Sequence, residues 1–123
     1  MPSAAFDRLC KIIAKLRSDK GCPWDRKQTI QSLQKCLEDE MKEVKEAIAA
    51  NDNENLKEEL GDLLFTTIMM IQIAEEEKVF SLKEVLEESE KKLIERHTWV
   101  FGDDKANNAE EAYEMWQRNK SKK

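Results

Sequence analysis

Four acids stand out by type and spacing. Glu40 and Glu43 form one i, i+3 pair, and Glu59 and Asp62 form another, so each pair shares a face if its segment is helical. Four carboxylates brought to one place take up protons, splay outward or bind a cation. An all-oxygen ligand set selects a hard divalent ion, Mg²⁺ or Mn²⁺. A zinc site is not expected. His97 is the one histidine, and Cys10, Cys22 and Cys36 lack CxxC spacing. A di-iron bundle would need Glu-x-x-His motifs, which the chain lacks. In a chain with 26 acids, E-x-x-E and E-x-x-D are also ordinary solvated helix faces, so position must decide.

Two helices have to position these acids. Thr29 is the expected N-cap of one, with an apolar stripe of Ile30, Leu33, Leu37, Met41, Val44 and Ile48. A polar break at 49–53 separates it from the next helix, expected over 54–77. That helix is apolar nearly all round from Leu63 to Ala74, as an enclosed helix would be. The short connection predicts an antiparallel hairpin. About Asn51, Glu43 and Glu59 are each eight residues away, and Glu40 and Asp62 each eleven. At about 1.5 Å rise per residue, the two acid pairs meet at one level. At about 100° per residue, Glu40 lies about 60° and Glu43 about 120° from Leu37, on the same side, which puts Glu40 on the margin of the buried stripe. Gly61 lies between Glu59 and Asp62. It costs about 1 kcal/mol relative to Ala inside a helix, which makes sense if something approaches that backbone closely.

The rest of the chain reads as further helices. Phe6, Leu9, Cys10, Ile13 and Leu16 predict a first helix over 4–17. Breakers at 18–25, including Gly21 and Pro23, predict a loop. Ser81 and Glu84 form a capping box with Phe80 and Val85 at the staple positions. They open a helix whose buried stripe is Leu82, Val85, Leu86 and Leu93 and which ends near His97. After a loop at 102–104, a last helix is expected beyond Asn108, carrying Ala109, Ala112, Tyr113 and Trp116, and fraying from Lys120.

Charge is unevenly spread along this frame. Segment 38–62 holds ten acids and three lysines, a net of −7, so the remainder carries +2 of the total of −5. Lys92 and Arg96 stand at i, i+4, and Lys120 shares a face with Trp116 four residues before it. Cations beside an acidic metal site are what phosphoryl chemistry needs; Glu88 and Glu95 offer the same cations ordinary surface pairing. Trp24, Trp99 and Trp116 lie outside the regular stripes and suit either stacking on a base or capping a small core. His97, at a helix end, reads as a cap or packing residue, and the three cysteines as small hydrophobes.

Composition narrows the class. Only 3 Gly and 2 Pro among 123 residues, with 40% hydrophobic and 38% charged residues, exclude turn-rich β architectures and leave an all-α single domain. A core this small favours self-association. The net charge of −5 excludes a general nucleic-acid binder. No stretch is long enough to cross a bilayer, no signal peptide is recognised at the N-terminus, and an odd set of cysteines reads as cytoplasmic thiols.

Gly21-Cys22-Pro23-Trp24-Asp25 followed by Gln28-Thr29 resembles the GCPWD-x-x-QT opening of MazG-type nucleotide pyrophosphohydrolases, members of the all-α NTP pyrophosphatase superfamily. Asp39-Glu40-x-x-Glu43 followed by Glu59-Leu60-Gly61-Asp62 is similar to that family's EExxE…ExxD metal motif. Lys92-Leu93-x-x-Arg96-His97-x-x-Val100-Phe101-Gly102 resembles its KLxRRHPHVFGD segment, and Trp116 and Lys120 its WExxK-type ending. The likeness runs from about Phe6 to Lys120. It implies one MazG-like domain over 1–123 (core about 6–120), a helical bundle around a central antiparallel hairpin, and a homodimer or dimer of dimers. It also implies Mg²⁺-dependent hydrolysis of (d)NTP to (d)NMP and pyrophosphate. By motif, Glu40, Glu43, Glu59 and Asp62 would hold the metal, and Glu40, Glu43 and Asp39 would serve catalysis. Lys92, Arg96 and Lys120 would bind phosphates, and Trp116 and Trp24 the nucleoside. Asp39 stands where the family has Glu, and Thr98-Trp99 where it has Pro-His. Many relatives are tandem, and this chain resembles their N-terminal half. A non-catalytic helical dimer that binds nucleotides or a protein partner is the alternative.

Overall fold

A computed structural model describes residues 1–122. The described residues form seven helices and no strand: α1 Pro2–Leu16, α2 Pro23–Lys27, α3 Leu33–Ala49, α4 Asn53–Glu76, α5 Leu82–Arg96, α6 Thr98–Phe101 and α7 Ala109–Ser121. The all-α expectation holds. None of the described helices is long and apolar enough to cross a membrane. The chain divides into two compact units, Met1–Leu82 and Lys83–Lys123.

In the first unit α4 packs against both α1 and α3. Its core joins Ile13 of α1, Leu33 of α3 and Ile68, Met69 and Ile73 of α4, with Phe6, Leu9, Cys10 and Leu16 packed against it. The first-helix stripe is therefore buried as its spacing predicts. From Leu63 to Ala74, α4 is mostly enclosed, although Leu64 and Thr67 stay exposed.

The hairpin turn explains why the helices return at matched level. Asn51 adopts a left-handed conformation (φ 54°), and the Asp52 N–H reaches back to the Ala47 carbonyl at 3.1 Å, closing α3 in the manner of a Schellman motif. Asp52 then caps α4, its carboxylate accepting from the Asn55 N–H at 3.1 Å.

Three expectations need correction in this unit. Regular α3 does not start directly after Thr29. Thr29 and Ser32 exchange hydrogen bonds, each hydroxyl accepting from the other's N–H at 3.0 and 2.9 Å. This reciprocal pair is a capping-box arrangement, and the Leu33 N–H already donates to the Thr29 carbonyl at 3.1 Å, but the turn it opens becomes regular helix only at Leu33. The buried line of α3 runs Leu33, Leu37, Glu40, Val44, Ala47, while Met41 and Ile48 are 51% and 60% exposed. Glu40 thus sits on the buried line and not at its margin. The expected loop at 18–25 contains the start of α2, because Pro23 is preset for a first helical position. At Gly21 a Cβ would collide with the carbonyl oxygens of Lys15 and Leu16, so only Gly lets this segment fold back on the end of α1.

The second unit contains α5 after its first residue, α6 and α7. Asn108 caps α7, its side chain accepting from the Glu111 N–H at 2.9 Å, as the sequence places it; the helix continues through Lys120 to Ser121. The α5 stripe does not become buried: Leu86 and Leu93 are 50% and 54% exposed. A 41-residue unit has too little surface of its own to cover that face.

Candidate metal and phosphate sites

The hairpin brings the two acid pairs together. One carboxylate oxygen from each of Glu40, Glu43, Glu59 and Asp62 lies within 4.8 Å of the others. Glu59 is only 9% exposed. One oxygen of Glu40 and one of Glu59 are buried with no hydrogen-bond partner. Contact with the Glu43 carboxyl, burial, and the charges of Glu43, Asp62 and Glu40 push Glu59 up to about 7. Burial, then the Asp62 and Glu43 charges, raise Glu40 above the usual carboxylate range. Acceptors pressed against acceptors need a proton or a cation between them. The donor set is all oxygen, with two orphaned buried atoms, and so fits a hard divalent ion.

Asp39 lies outside this cluster. It points to solvent and stands 3.8 Å from Lys35 one turn earlier. Gly61 does not serve a close approach within the chain, since a Cβ there would meet nothing within 4 Å. Its bare backbone faces open space, beside Leu60 and Leu64, which are 48% and 45% exposed.

A cavity of about 300 Å³ adjoins the acids. Glu40 and Asp62 form part of its wall, with Phe65, Thr66 and Met69 of α4 and Trp24 and Gln28 of the 21–29 segment. Trp24 is 68% exposed, free to meet a planar ligand. Cys36 also lines this space and is exposed, so the reading of all three cysteines as packed hydrophobes fails for it; Cys10, against the core, fits that reading.

Within the second unit, Lys92, Arg96 and Lys120 converge on one cavity of about 470 Å³. The Lys120 ammonium lies over the Trp116 ring, 4.8 Å from its centre, a cation–π contact that aims the lysine. Lys92 is 3.7 Å from Glu88, so part of its charge is locally paired. His97 acts as the sequence suggested, its Nδ1 lying 2.7 Å from the Leu93 carbonyl and its ring 5.1 Å from Trp99.

Two positioning residues carried no sequence signal. Asn119 donates to the Arg96 carbonyl at 3.2 Å and to the Thr98 hydroxyl at 3.0 Å, tying α7 to the end of α5. Arg17 donates to three carbonyls and to Glu76. Both act over sequence separations that helical spacing does not reveal.

Known proteins agree with this frame. Residues 28–101 match the model of the MazG nucleotide pyrophosphohydrolase domain, a match that extends into both units. A nucleoside triphosphate pyrophosphohydrolase/pyrophosphatase MazG of Thermotoga maritima is 46% identical over 98 residues, covering 80% of this chain and 38% of that protein. A nucleoside triphosphate pyrophosphohydrolase of Escherichia coli K12 is 38% identical over 117 residues, covering 94% and 44%. The chain thus spans less than half the length of these two relatives. The crystal structure of a mazG-related protein from Thermotoga maritima superposes with a TM-score of 0.78 at 34% identity, over 94% of this chain and 98% of that one. By sequence motif and by fold, the chain belongs to the MazG nucleotide pyrophosphohydrolase domain family.

Proposed function

We propose that this chain hydrolyses nucleoside triphosphates to monophosphate and pyrophosphate with Mg²⁺, Mn²⁺ being a possible substitute. The observation that carries the reading is the four-carboxylate cluster with two buried, unpartnered oxygens. Glu40, Glu43, Glu59 and Asp62 are assigned the metal. A bound divalent ion would supply phosphate charge neutralisation and a more acidic water. The chain's own residues do the remaining work. The acids of the cluster, Glu40 and Glu43 among them, orient the water toward the α-phosphorus; Asp39, outside the cluster and facing solvent, is left at most an indirect role through the water around it. The bond to the bridging oxygen breaks, and pyrophosphate leaves. Lys92, Arg96 and Lys120 take phosphate charge, while Trp116 and Trp24 hold the nucleoside.

Residues 1–123 are read as one MazG-like domain acting in the cytoplasm with its cysteines reduced. It works as a homodimer or dimer of dimers, in keeping with the half-exposed Leu60, Leu64, Leu86 and Leu93. Phosphorus NMR of dNTP with protein and Mg²⁺, against an EDTA control, tests the reaction. Pyrophosphate that disappears with EDTA supports it, and orthophosphate means a different phosphatase. No turnover across all common dNTPs returns the chain to the alternative, a non-catalytic helical dimer that binds nucleotides or a protein partner.

A further inference from the structure

Arg17 ends α1 and lines neither cavity described above, yet it is the most heavily bonded side chain of the first unit. Its side chain is 10% exposed. One guanidinium nitrogen, Nη1, donates to the carbonyls of Asp25, Arg26 and Gln28 at 2.6, 3.1 and 2.9 Å. The other two, Nε and Nη2, reach the two carboxylate oxygens of Glu76 at 3.1 and 2.6 Å. The three carbonyls belong to the end of α2 and the residue after it, where a helix leaves acceptors unsatisfied. Glu76 is the last residue of α4, the helix that carries Glu59 and Asp62.

The bonds continue from there to the cavity wall. The Gln28 side chain donates to the Trp24 carbonyl at 3.0 Å and accepts from the Ser32 hydroxyl at 2.8 Å. Trp24 and Gln28 form one wall of the acid-lined cavity, and α3 (Leu33, Cys36, Glu40) and α4 form the rest. Arg17 therefore ties the Trp24–Gln28 wall to the end of α4. A planar fork with donors in two directions is needed, and a lysine offers one point charge in its place.

We propose that Arg17 and Glu76 are positioning residues. As a latch they hold the Trp24–Gln28 wall at a fixed distance from α4, and so set how tightly the nucleotide is bound without touching it. The proposal rests on the functional reading above and adds to it a pair outside the ligand set. Its signature is a split: the Trp24–Gln28 wall governs substrate affinity, while the carboxylates that govern the chemical step are set in place by the α3–α4 hairpin.

The test compares wild type with Arg17→Lys and Glu76→Gln, each labelled with 5-fluorotryptophan and observed by fluorine NMR, alongside steady-state kinetics. The expected result for both variants is a rise in KM of about 10-fold with kcat within about twofold. The Trp24 resonance shifts or broadens, while those of Trp99 and Trp116 stay in place. A variant that melts earlier with unchanged KM and an unmoved Trp24 signal overturns the latch and leaves a structural ion pair. A fall in kcat at constant KM overturns it as well. If Arg17→Lys does not fold, Glu76→Gln, which keeps a hydrogen-bond acceptor, decides by the same readouts. If wild type turns over no dNTP, the functional reading fails on its own. The Trp24 resonance then still decides whether the latch holds the wall.

Discussion

The two units are held together by different forces. The first has an apolar core, and it spends some of that burial on forcing acids together: Glu40 and Glu59 are carried to low exposure by helices whose other positions are Leu33, Ala47, Ile68 and Met69. In the second unit no described residue is buried. Its cations are arranged by local polar contacts, the Asn119 bonds and the Lys120–Trp116 stack. A site imposed by a core keeps its geometry at a cost in repulsion. A site made by surface contacts is cheaper to build and easier to loosen. Substitutions in the first should therefore abolish function without loosening the fold, and substitutions in the second should grade it.

The largest effect is expected from Glu40→Gln and Asp62→Asn. Both keep side-chain volume and remove charge, so turnover should fall at least ~100-fold. Thermal melting of the metal-free protein should stay level or rise, because repulsion is relieved. If turnover survives both changes, the acid cluster is an ordinary surface and the contrast between the units collapses.

Next in size, Arg96→Ala and Lys92→Ala should raise KM for a dNTP by about 10- to 100-fold, with a smaller change in kcat and a weaker dependence on salt. Arg96 should cost more, since Lys92 already shares its charge with Glu88. Equal losses in kcat alone would place these cations in the chemical step and not in binding.

The contrast also explains what was legible in the sequence. Matching Glu40 with Asp62 and Glu43 with Glu59 succeeded because a short connection and helical rise fix level, and the left-handed Asn51 makes the return tight. Asp52 could have been read as a cap from its place before the helix. Thr29 misled only in where regular helix begins: its reciprocal bonds with Ser32 make the capping box, but the turn at 30–32 comes before α3 proper at Leu33. The α5 stripe was legible as a stripe but not as an uncovered one, because periodicity shows which face is apolar and not what lies opposite. Arg17 and Glu76, 59 positions apart, leave no trace in local pattern.

Asn119→Ala probes the looser unit directly. It removes two half-buried hydrogen bonds, each worth about 1 kcal/mol, and frees Arg96 and Thr98. A KM increase of roughly threefold to tenfold is expected, recovered in part by Asn119→Ser if a single donor suffices. An unchanged KM would mean that α5 alone sets the position of Arg96.

The smallest effect is in stability, and it separates two acids of the first unit by sign. Glu59 sits at about 7 when folded, against about 4.3 for an exposed glutamate. Between those values the folded chain holds a proton that the unfolded chain has lost, so lowering the pH from 8 to 6 should raise the melting temperature of the metal-free protein. Mg²⁺ should flatten that rise, since a cation replaces the proton among the carboxylates. Glu76 behaves oppositely: the hydrogen bond and charge of Arg17 hold it below the usual range, so its contribution is present above about pH 4.3 and is lost as the pH falls through its folded value. The metal-free melting curve should therefore climb on mild acidification and turn down in stronger acid. In Glu59→Gln the climb should shrink, leaving the part due to Glu40, which burial and the Asp62 and Glu43 charges also raise, and then the downturn. A climb that stays undiminished in both Glu59→Gln and Glu40→Gln would assign the excess proton to a group outside the cluster, and with it the strain attributed to these acids.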